Sequence, residues 1–288
     1  MKTTGRCFAR LTAHLIGRFI AIPLLTLLLV MAAFTTLTGV TGLSVAASDV
    51  PGGAAAPVLV ELFTSEGCSS CPPADAFLTK LDGLQPIAGT QLIVLSEHVD
   101  YWNHDGWKDA YSSSFFTARQ EEYVHRLGAK GAYTPQMVID GAAQMNGSDA
   151  AAVGHAIESA RTRAKIPVHI SSVSLADPKT IHLHLAVDAL PADSKAHKAD
   201  IFVAVALDHV ESHVSAGENK GRDIRHVAVA ESIDKVGTAE KGKNFDRDVQ
   251  VKVKAPADPG NLRLIVFVQE ADAGDVLGAS LLTAPVKN

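Results

Sequence analysis

Hydrophobic and polar positions divide the chain into two parts with different periodicities. Between residues 58 and 165, short apolar runs alternate with segments in which apolar residues recur at helical spacing. Strands that alternate with helices indicate an α/β layer with a partly parallel sheet. Buried strands are predicted at 58–63, 92–95 and 137–139, with a short fourth strand near 142–145. Helices are predicted near 72–83, 112–127 and 149–163.

From residue 166 onward the pattern changes to alternating or wholly apolar runs that are separated by turn residues. No helical periodicity is evident there, and several short strands at this spacing favour an all-β sandwich. The predicted strands are 169–175, 181–187, 201–207, 224–230, 249–253 and 262–268. The pattern therefore predicts an α/β domain over 58–165, followed by a β-sandwich domain over 166–288.

The N-terminal segment has the features of an export signal. Four basic residues and no acidic residue precede or flank an apolar run from Phe19 to about Val40, and small residues follow at 44–47. This pattern predicts a secretory signal peptide over 1–47 and a flexible leader over 48–57, which places the protein in the periplasm or outside the cell. The alternative is an uncleaved membrane anchor, because the run is nearly long enough to span a bilayer.

The charge of the chain argues against one class of partner. Removal of residues 1–47 takes away four basic residues and no acidic residue, so the formal net charge falls from −5 to −9. Binding to phosphate backbones requires clustered lysine and arginine, and no such cluster is present beyond the signal segment. We therefore expect no nucleic-acid partner.

Cysteine usage points to redox chemistry. Of three cysteines, Cys7 lies in the predicted signal peptide, which leaves only Cys68 and Cys71. A disulfide between them would close too short a loop to stabilise the fold strongly. The pair follows a predicted strand and precedes Pro72-Pro73 at the start of a predicted helix, where backbone N–H groups favour a thiolate. We expect Cys68 to be the attacking sulfur and Cys71, which is more buried, to resolve the mixed disulfide.

The residues around this pair resemble a known family. The similar segments are 61–75, 98–102, 106–107, 117–120, 133–136 and 217–222. They resemble an uncharacterised family of secreted bacterial proteins, domain of unknown function 1223, that is described as thioredoxin-like. The resemblance implies an α/β thioredoxin-like domain and a cis peptide bond before Pro135, opposite the cysteines. Gly67 and the Ser69-Ser70 dipeptide differ from ordinary thioredoxins, and this leaves the direction of electron flow open.

Two further residues are candidates for the same site. Glu61, in the first predicted strand, is a candidate buried acceptor for the Cys71 proton; a solvent-exposed carboxylate is the alternative. His98 follows the second strand and is a candidate for shifting the thiolate pKa or for ligating a metal with the two cysteines. A hydrogen-bonded loop histidine is the simpler interpretation of His98.

Several other side chains have simpler explanations as well as functional ones. Trp102 and Trp107 are candidates for an apolar rim that contacts a protein substrate, or for packing at the edge of the site. His182 and His184 share one face of a strand, but without a third ligand a solvated face is favoured over a metal site. Arg222 and His226 are expected in a surface turn, with an interdomain contact as the alternative.

The favoured hypothesis is an exported thiol–disulfide oxidoreductase that acts on protein or small-molecule thiols and disulfides together with a redox partner protein. No cofactor is implied. The first alternative is a copper- or zinc-binding metallochaperone that uses Cys68, Cys71 and His98. The second is a non-catalytic envelope binding module in which the disulfide is fixed.

Overall fold

The computed structural model describes residues 55–177, 179–254 and 258–283. Within them the chain forms eleven strands, three α-helices and a 3-10 turn at Pro259–Asn261. The first seven elements are β1 (Ala56–Thr64), α1 (Pro72–Leu84), β2 (Thr90–His98), α2 (Ser114–Arg126), β3 (Gln136–Ile139), β4 (Ala143–Asn146) and α3 (Ala150–Ala160). The remaining strands are β5 (Val168–Asp177), β6 (Thr180–Val187), β7 (Lys198–His213), β8 (Asp223–Glu240), β9 (Phe245–Lys252), β10 (Leu262–Gln269) and β11 (Val276–Thr283).

Local sequence signals explain where the three helices begin. Pro72 and Pro73 occupy the first turn of α1, where a missing N–H group costs no hydrogen bond. The Ser113 hydroxyl accepts a hydrogen bond from the Phe115 N–H group at the start of α2. The Asp149 carboxylate accepts one from the Ala152 N–H group at the start of α3. Each cap satisfies backbone donors that would otherwise lack a partner.

Two sheets make up the β-structure. The larger has the strand order β11-β10-β7-β8-β2-β1-β3-β4, and the smaller has the order β5-β6-β9. Strands β1 and β2 are parallel, and β3 is antiparallel to β1. A parallel bridge between Ser96 and Val229 joins β2 to β8, so strands from both parts of the chain share one sheet.

The predicted fold class is wrong. Instead of an α/β thioredoxin-like domain followed by an all-β sandwich, the structure is mostly β, with one mixed eight-stranded sheet running through both predicted parts. The physical reason is the β7–β8 hairpin, whose strands are 16 and 18 residues long. Only their apolar centres had been predicted as strands, because their polar ends carry no apolar alternation. The predicted signal peptide lies outside the described residues, as does most of the predicted leader.

The buried core has separate parts on the two faces of the large sheet. One cluster packs α1 and α3 against β1, β2 and β3. Another lies on the opposite face and joins β1 and β2 to β7, β8 and β10. A third fills the space between the small sheet and β7, β10 and β11. The end of β1, the first turn of α1 and the end of β2 therefore meet at one edge, which is where the cysteines lie.

None of the helices in the described part of the chain has the length and apolar character needed to cross a membrane.

Candidate functional site

Cys68 and Cys71 form a disulfide in the loop between β1 and α1. Their Cα atoms are 5.5 Å apart, and Cys71 is the residue that caps the N-terminus of α1. The Cys71 carbonyl accepts hydrogen bonds from the N–H groups of Ala74 and Asp75, at 2.8 and 3.1 Å. The pair therefore lies at a helix start, where the backbone dipoles stabilise negative charge on sulfur.

Both cysteines are inaccessible to solvent in this conformation. Each is 0% exposed, whereas Ser69 and Ser70 between them are exposed. This differs from the expectation that Cys68 is the more accessible of the two. Any reaction at either sulfur therefore requires a local opening of the structure.

The loop between β7 and β8, residues 214–222, binds the backbone on either side of Cys68. We call it the β7–β8 loop. Its buried Asn219 donates from Nδ2 to the carbonyl oxygens of Glu66 and Cys68, both at 2.9 Å. Glu218 accepts a hydrogen bond from the Ser69 N–H group at 3.2 Å. The loop thereby ties the second half of the chain to the cysteines.

Close backbone packing holds the β7–β8 loop in place. Gly217 has φ +71°, and a Cβ atom there would lie 3.1 Å from Trp107 Cβ and 3.2 Å from the Asp105 carbonyl oxygen. Glycine is favoured where a positive φ and such a close approach coincide. Hydrogen bonds from the N–H groups of Val214 and Gly221 close the base of the loop. Its conformation is thus defined at both the tip and the base.

A buried cluster of five titratable side chains lies next to the disulfide. Its members are Glu66, Asp75, His98, Asp109 and His226, and none is more than 3% exposed. His98 Nδ1 and Asp109 Oδ2 are 2.7 Å apart. His226 lies between two carboxylates, with Nδ1 at 3.5 Å from Asp75 Oδ1 and Nε2 at 3.9 Å from Glu66 Oε1. The two imidazole centroids are 4.6 Å apart. We call this group the acid–imidazole cluster.

Opposing influences act on the His98–Asp109 pair. Burial alone would lower the pKa of His98, but the adjacent Asp109 carboxylate outweighs it, and the pKa of His98 is raised. Burial alone would raise the pKa of Asp109, but the His98 ring and two backbone N–H groups lower it to about 2. The pair is therefore an ion pair at mildly acidic pH.

Several polar atoms of the acid–imidazole cluster have no hydrogen-bond partner. Both ring nitrogens of His226, Nε2 of His98, Oε1 of Glu66 and Oδ2 of Asp75 are buried in this state. Buried polar groups are nearly always satisfied, and exceptions concentrate where a site does chemistry or holds solvent. Asp75 is nonetheless oriented, because its Oδ1 accepts a hydrogen bond from the Thr64 hydroxyl at 2.9 Å.

The Thr134–Pro135 peptide bond is cis, and Thr134 is linked to Cys68 through Ser70. Ser70 Oγ, which is 3.4 Å from Cys68 Sγ, donates to the Thr134 carbonyl at 3.4 Å. Trp102 donates from Nε1 to the Thr134 hydroxyl at 2.8 Å. The cis-proline segment is thus part of the cysteine environment, and Trp102 packs against it.

Glu61 is not near the cysteines. Its carboxylate accepts hydrogen bonds from Arg119 Nε at 3.0 Å and from the Tyr123 hydroxyl at 2.6 Å. Val60 and Leu62, its neighbours in β1, face α1, so Glu61 points to the opposite face, which α2 covers. The structure therefore offers no route from Glu61 to the Cys71 proton.

Arg119 is the centre of a second buried charged group. It contacts Glu61 and Glu97, and it donates to Gln269 at 3.1 Å. Burial raises the pKa of Glu97, and the charge of Arg119 offsets this only in part. Burial alone would lower the pKa of Arg119, but the neighbouring Glu61 and Glu97 carboxylates outweigh it and the pKa is raised. Burial also raises the pKa of Tyr123. We call this the arginine cluster.

The other candidates take different places. Trp107 donates from Nε1 to Glu66 Oε2 at 2.7 Å, and Arg222 is exposed in the β7–β8 loop. His184 pairs with Asp246 and Asp248 on the small sheet, away from the cysteines. Among the described residues, no group of three or more His, Cys, Asp or Glu side chains is arranged to hold a metal ion. This includes the set of Cys68, Cys71 and His98.

Sequence reasoning identified Cys68, Cys71 and His98 as site residues but not the other members of the acid–imidazole cluster or Asn219. Asp75 carried a usable signal, because residues four apart at a helix start share one face and Asp75 follows Cys71 by four. Asn219 lies in the family-like segment 217–222, and His226 was a candidate only for a surface turn or an interdomain contact. Each reaches the site from about 150 residues away in sequence, which no local pattern shows.

Comparisons with known proteins identify one family and similar solved structures. A family model described as protein of unknown function DUF1223 matches residues 59–269. A crystal structure of a structural-genomics target protein from Agrobacterium tumefaciens is similar, with 28% sequence identity and a TM-score of 0.61 over 78% of this chain and 93% of that one. HBP35 of Porphyromonas gingivalis has a similar fold, with a TM-score of 0.58 and 14% identity over 79% of this chain and 74% of that one. A search of curated proteins found no match.

Proposed function

Because the chain belongs to the DUF1223 family, whose function is unknown, its activity has to be inferred from its own site, and we propose that it is a thiol–disulfide oxidoreductase. The observation that carries the proposal is the position of the disulfide. It lies at the first turn of α1, where Glu66 and Asp75 of the buried acid–imidazole cluster flank it in sequence. A helix start stabilises a thiolate, and neighbouring acids and imidazoles exchange protons with one.

The reaction needs a dithiol as the reducing partner, either on a protein or in a small molecule. One thiolate of this partner attacks Cys68 Sγ, the bond between Cys68 and Cys71 breaks, and Cys71 leaves as a thiolate. The partner's second thiol, once deprotonated, attacks the partner's first sulfur in the mixed disulfide, and Cys68 leaves as a thiolate. Two electrons pass from the partner to the protein, and the partner becomes a disulfide. The reverse sequence reduces a disulfide substrate: the Cys68 thiolate attacks it, and Cys71 then resolves the mixed disulfide.

Cys68 is the favoured point of attack because its surroundings are closer to solvent. The exposed residues Ser69 and Ser70 adjoin it, and the Ser70 hydroxyl is 3.4 Å from its sulfur. Cys71 instead lies at the helix start itself. The β7–β8 loop has to leave Cys68 first, and within the described part of the chain Asn219 and Glu218 alone bond it to residues 66–69.

The disulfide between Cys68 and Cys71 also supports a location outside the cytosol. Disulfides persist in oxidising compartments and are rare in the reducing cytosol. Together with the predicted signal peptide, this supports a periplasmic or secreted protein. The proposed partners are thiols and disulfides of other proteins or of small molecules in that compartment.

Complete burial of both sulfurs favours one alternative, a fixed disulfide in a non-catalytic binding module. Under this alternative the β7–β8 loop never leaves Cys68, and the disulfide is inert to thiols in the folded protein. The two functions therefore differ in a measurable property, which is the reactivity of Cys68 in the native state.

Trapping the mixed disulfide tests the proposal. In Cys71→Ser, no second cysteine can resolve a mixed disulfide on Cys68. We therefore expect disulfide-linked adducts after exposure to oxidised glutathione and to envelope proteins. The Cys68→Ser/Cys71→Ser variant is the control and should form none. Asn219→Ala should speed adduct formation about thirtyfold, because it removes two hydrogen bonds worth about 1 kcal/mol each that hold the loop on Cys68.

Asn261→Ala is a matched control for the loop variant. Asn261 also bonds a β-strand end, donating to the His209 carbonyl at 3.0 Å, but it lies outside the β7–β8 loop. It should leave the rate of adduct formation unchanged. Absence of adducts in Cys71→Ser, both alone and combined with Asn219→Ala, would overturn the redox proposal in favour of the fixed disulfide.

A further inference from the structure

The acid–imidazole cluster holds more acidic than basic groups beside the disulfide. It contains three carboxylates and two imidazoles, all buried, and only His98 and Asp109 are joined by a short hydrogen bond. The other two carboxylates, of Glu66 and Asp75, face the His226 ring at 3.9 and 3.5 Å. When the disulfide opens, Cys71 leaves as a further negative charge in the same enclosed space. Asp75 brings the cluster to the same helix start as Cys71, so the cluster is a candidate source of a proton for it.

Geometry selects one pair within the cluster. Asp75 follows Cys71 by four residues at the start of α1, so the two side chains lie on the same face of the helix. The Thr64 hydroxyl fixes Asp75 Oδ1 at 2.9 Å and leaves Oδ2 without a partner. His226 Nδ1 is 3.5 Å from Asp75 Oδ1, and neither of its ring nitrogens has a hydrogen bond. Among the described residues, a proton shared by Asp75 and His226 therefore has no competing acceptor at hydrogen-bond distance.

We propose that the Asp75–His226 pair gives a proton to the Cys71 sulfur when the disulfide opens and takes it back when the disulfide closes. This inference rests on the proposed function, but it concerns only the opening of the bond and does not depend on any natural substrate. Charge balances at each step: attack on Cys68 expels Cys71 as a thiolate, the pair gives up one proton, and Cys71 becomes a neutral thiol. Solvent protons restore the pair once the β7–β8 loop has opened.

Other titratable groups surround His226 and set its environment. Glu66 faces it from the β1–α1 loop at 3.9 Å, Asp75 from α1, and His98 from β2 with ring centroids 4.6 Å apart. Asp109 and Tyr111, from the segment before α2, contact His98 rather than His226. The test therefore compares substitutions at His226 and Asp75 while His98 and Asp109 are kept.

A phosphine reductant gives a direct test, because it attacks a disulfide without first losing a proton. The phosphine displaces Cys71 from Cys68, and water then converts the adduct to phosphine oxide and the Cys68 thiol. Rates are measured from about pH 5 to about pH 9, relative to a short Cys-Ser-Ser-Cys peptide that reports the pH dependence of the reagent itself. In the native chain the ratio of the protein's reduction rate to the peptide's should be highest at low pH. It should fall as the Asp75–His226 pair loses its proton.

Two variants should remove this dependence. His226→Gln and the isosteric Asp75→Asn are each expected to slow reduction at low pH by about a hundredfold and to flatten the pH profile of the ratio. His184→Gln is the matched control, since His184 also pairs with carboxylates but lies on the small sheet. It should leave the profile unchanged.

The Asn219→Ala background separates proton donation from opening of the loop. A pH profile that persists in Asn219→Ala and is lost in Asn219→Ala/Asp75→Asn supports the proposal. A profile that is flat in the native chain, or that disappears in Asn219→Ala alone, overturns it. Either result is independent of the adduct experiment, which decides the proposed function.

Discussion

Two buried charged groups lie on opposite faces of the same pair of strands, and they differ in kind. The arginine cluster, on the α2 face, combines a permanent cation with carboxylates, and Glu61 accepts hydrogen bonds from Arg119 and Tyr123. The acid–imidazole cluster, on the α1 face, contains two imidazoles and several polar atoms that have no hydrogen-bond partner among the described residues. Only the second adjoins the disulfide.

The difference suggests a division of roles. A group built around arginine keeps its charge at every physiological pH, so it suits the fixing of α2 and β10 against β1 and β2. A group built around histidine changes its charge with small changes in surroundings, so it suits a site where charge appears and disappears. The predictions below test this division, beginning with the largest effect.

Loss of the Arg119 side chain should cost the most stability. Arg119→Met leaves Glu61 and Glu97 buried without a cation, and we expect the free energy of unfolding to fall by about 3–5 kcal/mol. Urea unfolding measures this change. The double variant Arg119→Met/Glu61→Gln is the control, because neutralising one carboxylate should recover part of the loss. A loss below about 1 kcal/mol would show that the arginine cluster does not fix these elements.

Asp109→Asn should have a smaller effect that depends on pH. The raised pKa of His98 means that its stabilising contribution is present below its ordinary value and is lost as pH rises through the raised value. The lowered pKa of Asp109 means that its contribution is present above its ordinary value and is lost only as pH falls through about 2. Asp109→Asn should therefore destabilise the protein by about 1–3 kcal/mol near pH 5.5 and by less near pH 8.5.

Urea unfolding at the two pH values measures this difference, with Arg119→Met as the comparison. The effect of Arg119→Met should be larger near pH 8.5 than near pH 5.5, because burial raises the pKa of Glu97 and a buried carboxylate that has lost its cation is less costly when protonated. An equal loss for Asp109→Asn at both pH values would contradict the assignment of a pH-sensitive role to the acid–imidazole cluster.

The local part of the site was predictable, but its long-range part was not. The apolar run at 58–63, the proline pair at 72–73 and the two cysteines placed a reactive pair at a helix start, as observed. These signals act over a few residues. Glu61 was misplaced because alternation shows that it faces away from Leu62 but does not show which face α1 covers.

The same limit explains the error in fold class. The apolar centres of β7 and β8 were recognised as strands, but their pairing with β2 depends on a contact between Ser96 and Val229 that no local pattern encodes. The role of the β7–β8 loop was equally hidden, since Asn219 reaches the Cys68 carbonyl across 151 residues of sequence. The polar sequence of that loop is typical of any surface turn.

Substitution of Trp102 should have the smallest effect on stability, and it tests how the segment before Pro135 is held. Trp102→Phe keeps the aromatic packing and removes the hydrogen bond from Nε1 to the Thr134 hydroxyl, so we expect a loss of about 1 kcal/mol in unfolding free energy. Thr134→Val removes the same bond from the other partner, so the double variant should lose about 1 kcal/mol less than the sum of the two single losses. A coupling energy near zero would show that this bond does not secure the segment before Pro135. Faster disulfide reduction in Trp102→Phe, beyond what its stability explains, would instead show that Trp102 shields the sulfurs together with the β7–β8 loop.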